Sequence, residues 1–277
     1  MSLWMRCLPA LLLPLFISST HVQGVQQESA KADAVFNSNE QIEEFLLTAK
    51  IVKAKGISIG VAGPLKLTLD DGKIQHYAAY KSINERKTGI TQLAARAEID
   101  FKDSWMFEVA AYELDKMLGL NMVPVTVARS YNGEKGSVQF WVDNCMMESD
   151  RLKKKLDPPD SLAWNRQMYK VRIFDNLVYN IDRNLGNLLI TPDWKCFMID
   201  HSRTFKCVDQ LKSPKDLTQF STSLMEALEK LDAETVKSRC GKYLTEYEIR
   251  MTLKRRDRIL QLYKQVVAEK GPAVVYP

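Results

Sequence analysis

Asp182, Asn187 and Asp200 are the residues whose types and spacing point most directly to chemistry. They lie in one stretch, VYNIDRNLGNLLITPDWKCFMIDHSRTF, residues 178–205. An apolar run, Leu188, Leu189 and Ile190, is followed by Thr191-Pro192-Asp193, a strong turn signal. A second run, Phe197, Met198 and Ile199, then delivers Asp200. The pattern predicts a short hairpin with Asn187 at its entrance, Asp200 at its exit and Asp182 upstream. Phosphoryl transfer needs such a set: one carboxylate to orient or deprotonate the acceptor, and an amide plus a carboxylate to hold Mg²⁺ on the phosphates. On the spacing of Asp182 and Asn187 alone, a polar loop between strands is the plainer reading. The hairpin and the second carboxylate reverse that preference.

Such a site needs a framework upstream, and the chain supplies one. Ser38 with Gln41 resembles a capping box ahead of Ile42, Phe45, Leu46 and Ala49 at helical spacing. The period then changes to two over Ile57, Ile59 and Val61, and again over Leu65, Leu67 and Leu69; Asp71-Gly72 turns the chain into a third strand, Ile74 to Ile83. The first of these strands carries Gly56, Gly60 and Gly63. They would let backbone amides approach a phosphate, although they do not form G-x-G-x-x-G and glycine-bounded turns are common. On the third strand Ala79 and Lys81 share a face. The small residue leaves room for a flat ring while the lysine reaches phosphates; on this evidence alone, a surface lysine on an edge strand is the better reading. A helix capped by Asp103 or Ser104 carries the stripe Phe107, Ala111, Leu114, Leu118 and ends at Gly119. Glu108 falls at the margin of that stripe, where a carboxylate needs a partner, and Lys81 is the natural one. Glu113 reads as a solvated helix residue.

Val123, Val125 and Val127 alternate, Asn132-Gly133 turns, and Val138 to Val142 returns. The expectation is an α+β fold with a five-stranded antiparallel sheet and one inserted helix over residues 38–142, then a mainly helical lobe over 143–277. The junction is the polar stretch Asp143 to Asp160, where a nucleotide base would meet backbone near Trp141, Val142 and Asp143. The second lobe opens with a helix from about Ser161, and its last helix is capped by Thr245 with Glu248 and stops at Gly271.

Composition fits one globular unit: 277 residues, 45% hydrophobic, 26% charged, net charge +5. Basic clusters such as Lys153-Lys154-Lys155 sit beside apolar or acidic residues and read as solvated helix faces rather than a nucleic-acid patch. Residues 1–24, with Arg6 ahead of the apolar stretch Cys7 to Ser18 and small residues at Val22 and Gly24, predict a secretory signal peptide rather than a membrane span. Residues 25–37 read as a flexible lead-in, and the mature protein is expected in an exported compartment, with no membrane insertion. Cys145, Cys196, Cys207 and Cys240 then permit two disulfides in three pairings; no pair has metal-type spacing.

Lys81, Glu108, Asp182, Asn187 and Asp200, in that order, resemble the protein-kinase-like fold. DRNLGN and IDHS look like the DRHxxN and IDxG elements of phosphatidylinositol 3-/4-kinases. The stretch from Gly56 to Phe205, with VAGPLKLTLDDG, FEVAAYELDKMLGLNMVPVTVAR and VQFWV, is similar to HipA-like and Fam20-like atypical kinases, in particular exported bacterial relatives. The resemblance implies ATP and Mg²⁺ or Mn²⁺ as cofactors. It makes Lys81 the residue on the α/β-phosphates, Glu108 its anchor, Asp182 the catalytic carboxylate, and Asn187 and Asp200 the metal ligands. The acceptor is then a hydroxyl of a protein, sugar, lipid or other small molecule. Two departures stand out. Asn184 replaces the His of DRHxxN and cannot titrate, and Ser202 stands where a Gly is usual, which disfavours positive φ after Asp200. Both favour the alternative, a non-catalytic nucleotide- or partner-binding pseudokinase.

Overall fold

The computed structural model describes residues 36–57, 63–93 and 97–277. The signal-peptide expectation and Gly60 therefore lie outside the described residues. In chain order the elements are α1 (Asn39–Thr48), β1 (Lys50–Gly56), β2 (Leu65–Asp70), β3 (Gln75–Lys81), β4 (Asn84–Gln92), β5 (Ala97–Ser104), α2 (Trp105–Leu118), β6 (Thr126–Tyr131) and β7 (Glu134–Phe140). Then come β8 (Met146–Met147), α3 (Glu148–Lys153), α4 (Ser161–Leu177), β9 (Leu188–Ile190), β10 (Cys196–Met198), β11 (Phe220–Ser221), α5 (Thr222–Lys230), α6 (Ala233–Cys240), α7 (Glu246–Lys270) and β12 (Val275–Tyr276).

The architecture is bilobal α+β. A five-stranded antiparallel sheet in the order β1-β2-β3-β7-β6 forms the first lobe, and helices dominate the second. Alternation builds the sheet's inner face: Leu67, Leu69, Ala78 and Val138 are fully buried there, and each large side chain so placed contributes about 1.5–3 kcal/mol. Two helices cover that face, α1 as well as α2. The first strand runs over Lys50–Gly56, and of the Ile57, Ile59 and Val61 pattern read as a strand, Ile59 and Val61 lie outside the described residues.

Helix α2 starts as its sequence dictates. Ser104 Oγ accepts from Met106 N, and Gly119 closes the helix with φ +63°, a left-handed conformation that glycine adopts without a Cβ clash. The helix is buried on nearly every side. Phe107, at 0% exposure, packs on Phe205 with ring centroids 5.4 Å apart, and Trp105 meets Tyr243 edge-on. Both partners belong to the second lobe, so the helix carrying Glu108 is wedged between the sheet and the helical lobe.

β4 and β5 form a separate two-stranded hairpin inserted between β3 and α2. It is fastened to the second lobe by charge. Glu98 accepts from Arg203 and, at 2.5 Å, from Lys206; fully buried Glu248 of α7 accepts from Lys102 at 2.7 Å and Arg86 at 3.2 Å. Glu248 also completes the capping box with Thr245. Removing one partner from such a buried cluster strands the others, at about 3–5 kcal/mol. Glu248→Ala is therefore expected to lower Tm by roughly 6–20 °C, at about 2–4 °C per kcal/mol. Glu246→Ala, which cuts only the exposed pair with Lys237, leaves Tm essentially unchanged. Equal melting of the two variants in a thermal scan would contradict the clamp.

Candidate active site

The hairpin of β9 and β10 forms with Leu188 opposite Met198 and Ile190 opposite Cys196. Ile199 N donates to Asn187 O at 3.1 Å, which ties the two ends of the hairpin together. Asp182, Asn187 and Asp200 thereby converge. Asn187 Nδ2 donates to Asp182 O, as does Asn184 Nδ2, each at 3.2 Å; Asn184 Oδ1 accepts from Gly186 N. Asn184 thus stitches the loop where a histidine was expected. Asp182 N is pinned in turn by Asn180 Oδ1 at 2.9 Å. The Asp182 carboxylate accepts no hydrogen bond among the described residues.

From the other lobe, Lys81 Nζ lies 2.6 Å from Glu108 Oε1 and 2.6 Å from Asp200 Oδ1. Burial opposes the lysine's charge, but the two carboxylates outweigh it and hold the ammonium above its ordinary pKa. Burial likewise works against the Asp200 charge, and Lys81, with help from Arg183 and Ser202, keeps that carboxyl below its usual range. Glu108 is only 2% exposed and spends its second oxygen on His201 N at 3.0 Å. The pair predicted between Lys81 and Glu108 is present, and Glu108 sits fully inside rather than at a margin.

Asp200 adopts φ +62°, a left-handed conformation that Asp visits more readily than most residues. The strained position is Asp200 itself, whereas Ser202 has no positive φ. A glycine is therefore not required at 202. Ser202 is buried and its carbonyl accepts from Ser104 N at 3.0 Å, joining the turn after Asp200 to the cap of α2.

A second connection was not legible in the sequence. Arg183 makes Nε and Nη contacts with Asp175, and its Nη1 donates to Asn187 O and Ile199 O at 2.9 and 2.8 Å. Its Nη2 lies 2.9 Å from His201 Nε2. Arginine only donates, so Nε2 accepts and the proton of this neutral imidazole sits on Nδ1. Burial, then the Arg183 and Lys81 charges, push the His201 pKa well below its usual value. Lys81, Glu108, His201, Arg183 and Asp175 form one continuous chain between the lobes. A motif reading sees Arg183 only as a letter of DRNLGN. Asp103, adjacent to the Ser104 cap, is likewise drawn in; burial raises its carboxyl pKa, and the nearby Asp200 charge acts in the same direction.

Between the lobes lies a cavity of about 350 Å³ lined by Ala79, Phe140, Trp141, Val142, Leu189 and Ile199 among others. That size suits a nucleoside-sized ligand. Trp141 and Val142 line it as expected, but their backbone roles differ. Trp141 N is committed to Tyr77 O at 3.2 Å, and Val142 O accepts from the Cys145 thiol at 3.2 Å. Val142 N donates no hydrogen bond among the described residues. Gly63 is exposed with φ +58°.

The donor set fits a hard cation. Asn187 Oδ1 and Asp200 Oδ2 accept no hydrogen bond among the described residues, while Asn187 is 8% exposed and both are oxygen ligands. Among the described residues no three His, Cys, Asp or Glu side chains gather to hold an ion alone, so phosphate oxygens would complete the shell. Cys145, Cys196, Cys207 and Cys240 are all free thiols, and no described helix is long and apolar enough to cross a membrane. Glu113 is a correction: burial pushes its carboxyl pKa up and Arg239 lies 3.6 Å away, so it is not a solvated helix residue.

No protein-family model matches the chain, and no curated protein matches it by sequence. Solved structures do. Hydra Fam20, in a structure with sugar, superposes with a TM-score of 0.65 at 13% identity over 87% of this chain and 93% of its own. The Golgi casein kinase gives 0.60 at 14% identity over 86% and 78%, and a second structure of it holds Mn and ADP. The Helicobacter pylori proinflammatory kinase CtkA gives 0.50 at 12% identity over 83% and 98%. At such identities the likeness establishes the architecture, and the chain has the atypical protein-kinase-like fold.

Proposed function

We propose that the protein is a metal-dependent phosphotransferase that moves the γ-phosphoryl group of ATP to a hydroxyl acceptor. The observation that carries this reading is the meeting of Lys81 with both Glu108 and Asp200 at 2.6 Å, together with an Asp182 carboxylate that accepts no hydrogen bond among the described residues. Lys81 holds the α- and β-phosphates. Asn187 and Asp200 would hold Mg²⁺ or Mn²⁺, which would neutralise the phosphate charge. The base lies in the cavity under Ala79 against Val142 N. Asp182 orients the acceptor hydroxyl and takes its proton as the new oxygen–phosphorus bond forms and the bond to the β–γ bridging oxygen breaks, releasing ADP. The Mn and ADP in the Golgi casein kinase structure support the choice of ligands. Removal of residues 1–24, a lobe boundary at 142–143 and an exported compartment belong to the same proposal.

A pseudokinase is the second reading, because Lys81 occupies Asp200 Oδ1 directly. Mature protein incubated with Mn²⁺ and an acceptor panel separates the two. Label from γ-labelled ATP, but not α-labelled ATP, should reach a protein, sugar or lipid hydroxyl. Tight ATP binding with no transfer to any acceptor, itself included, would favour the pseudokinase; label from the α position would instead mean transfer of AMP.

A further inference from the structure

A second cavity, of about 480 Å³, lies in the helical lobe between α4, the loop at Arg183 and the segment at Lys212. It is separate from the interlobe cavity. Neighbouring residues of a strand point to opposite faces, and on β9 Leu188 lines this cavity while Leu189 lines the interlobe one. The space is preformed. Asn176 of α4 is 3% exposed and its Oδ1 accepts from Ser213 N at 2.9 Å, while Lys212 Nζ donates to Asn180 O at 2.6 Å. These bonds pin the segment at Lys212 against α4 and the loop that follows it.

The lining divides into apolar surface and charge. Trp164, Tyr169, Leu185 and Leu188 form an apolar wall. Two of the acids that line the cavity are balanced in place, Asp175 by Arg183 at 3.0 Å and Glu148 by Arg151 at 2.6 Å. The cations Arg172 and Lys212 are not balanced. The Arg172 guanidinium stands 5.4 Å over the Tyr169 ring and makes no hydrogen bond or ion pair among the described residues. Lys212 donates to Asn180 alone, which leaves two of its three N–H donors unused. Against these two cations the lining sets one unpaired carboxylate among the described residues, that of Asp216. The free charge of the cavity is therefore positive.

We propose that this cavity is a second ligand site, for a small ring compound that carries one anionic oxygen group, a carboxylate or a phosphate. The ring packs on Trp164, Tyr169 and the two leucines, and the anionic group takes the unused donors of Arg172 and Lys212, since a guanidinium fork matches either oxyanion. The volume suits a small molecule. Arg183 also lines the cavity, and the same guanidinium donates to Asn187 O and Ile199 O. An occupant therefore packs on the side chain that ties the two ends of the β9–β10 hairpin. The site does not depend on the phosphotransferase reading.

Calorimetric titration with naphthylacetate, naphthyl phosphate and the uncharged naphthylethanol tests it, on wild type, Arg172→Met, Lys212→Met and Ala79→Leu. Arg172 and Lys212 are exposed, so methionine keeps an unbranched stem there and removes the charge at little cost to the fold, which circular dichroism melting checks. Ala79→Leu fills the interlobe cavity instead. Wild type should bind at least one of the two anions, and the tighter one tells carboxylate from phosphate. The alcohol, and the anion on each methionine variant, should bind about tenfold more weakly, about 1.4 kcal/mol, while Ala79→Leu binds as wild type does. No binding of either anion at about 1 mM, an alcohol as tight as the anions, or undiminished binding by either methionine variant would overturn the site. Loss of binding in Ala79→Leu would put the probes in the interlobe cavity and overturn it as well.

Discussion

Asp200→Asn abolishes the metal-dependent part of ATP binding and lowers phosphoryl transfer by about 10³-fold, the upper scale of losing one preorganised electrostatic group. Asp200 carries two duties on its two oxygens: Oδ1 holds Lys81 at 2.6 Å, and Oδ2 is left for a cation. The amide substitution is the informative one. Asn tolerates the left-handed φ of +62°, whereas Ala at that angle adds backbone strain of about 1–2 kcal/mol and confuses folding with chemistry. Lys81 keeps Glu108 in the variant, so the lobes stay joined. The check is ATP affinity measured with and without Mn²⁺. Wild-type affinity gains from the metal; the variant's should not. A variant that still gains would show that Asp200 is not a metal ligand.

Asp182→Asn is expected to leave ATP affinity within about twofold and to cost 10²–10⁴-fold in transfer rate, the range for a lost general base. The expectation of intact geometry has a specific cause. The loop around Asp182 is held through its backbone, with its N bonded to Asn180 and its O bonded to Asn184 and Asn187. None of these bonds involves the carboxylate, so an isosteric amide disturbs nothing but the proton acceptor. Steady-state rates at saturating ATP decide it. Undiminished turnover would remove Asp182 from the catalytic role.

The residues of this site were legible because each carries a local signal. Thr191-Pro192-Asp193 marks the hairpin, Ser104 and Gly119 mark the ends of α2, and a carboxylate at a helix's buried margin asks for a cation. What escaped depends on distance in sequence. Arg183 reaches Asp175, His201 and two hairpin carbonyls, and nothing in its neighbours predicts those partners. β4 and β5 escaped for another reason: β4 is exposed almost throughout, and the cross-strand pair Ile90 and Ile99 faces solvent at 77% and 69% exposure. A hairpin whose first strand is exposed almost throughout has little alternation to read; only the end of β5, at Phe101 and Ser104, is buried, and ion pairs through Glu98 and Glu248 add to its attachment. α3 hid in a polar stretch, six residues being too short for a periodic pattern. Trp141 and Val142 line the cavity between the lobes, and only the structure shows that Tyr77 has already taken the Trp141 amide.

Thermal melting of the mature protein with ATP, with Mn²⁺ and with both addresses the central claim, that Lys81, Asn187 and Asp200 form a metal-assisted phosphate site. A ligand at about 100 times its Kd stabilises by roughly 2.7 kcal/mol, enough to raise Tm by roughly 5–11 °C at about 2–4 °C per kcal/mol. The predicted result is a rise of that size with ATP and Mn²⁺ together, well above the rise with either alone, and its loss in Asp200→Asn. An unchanged Tm in all three conditions, or an ATP shift that is the same with and without metal, would contradict it.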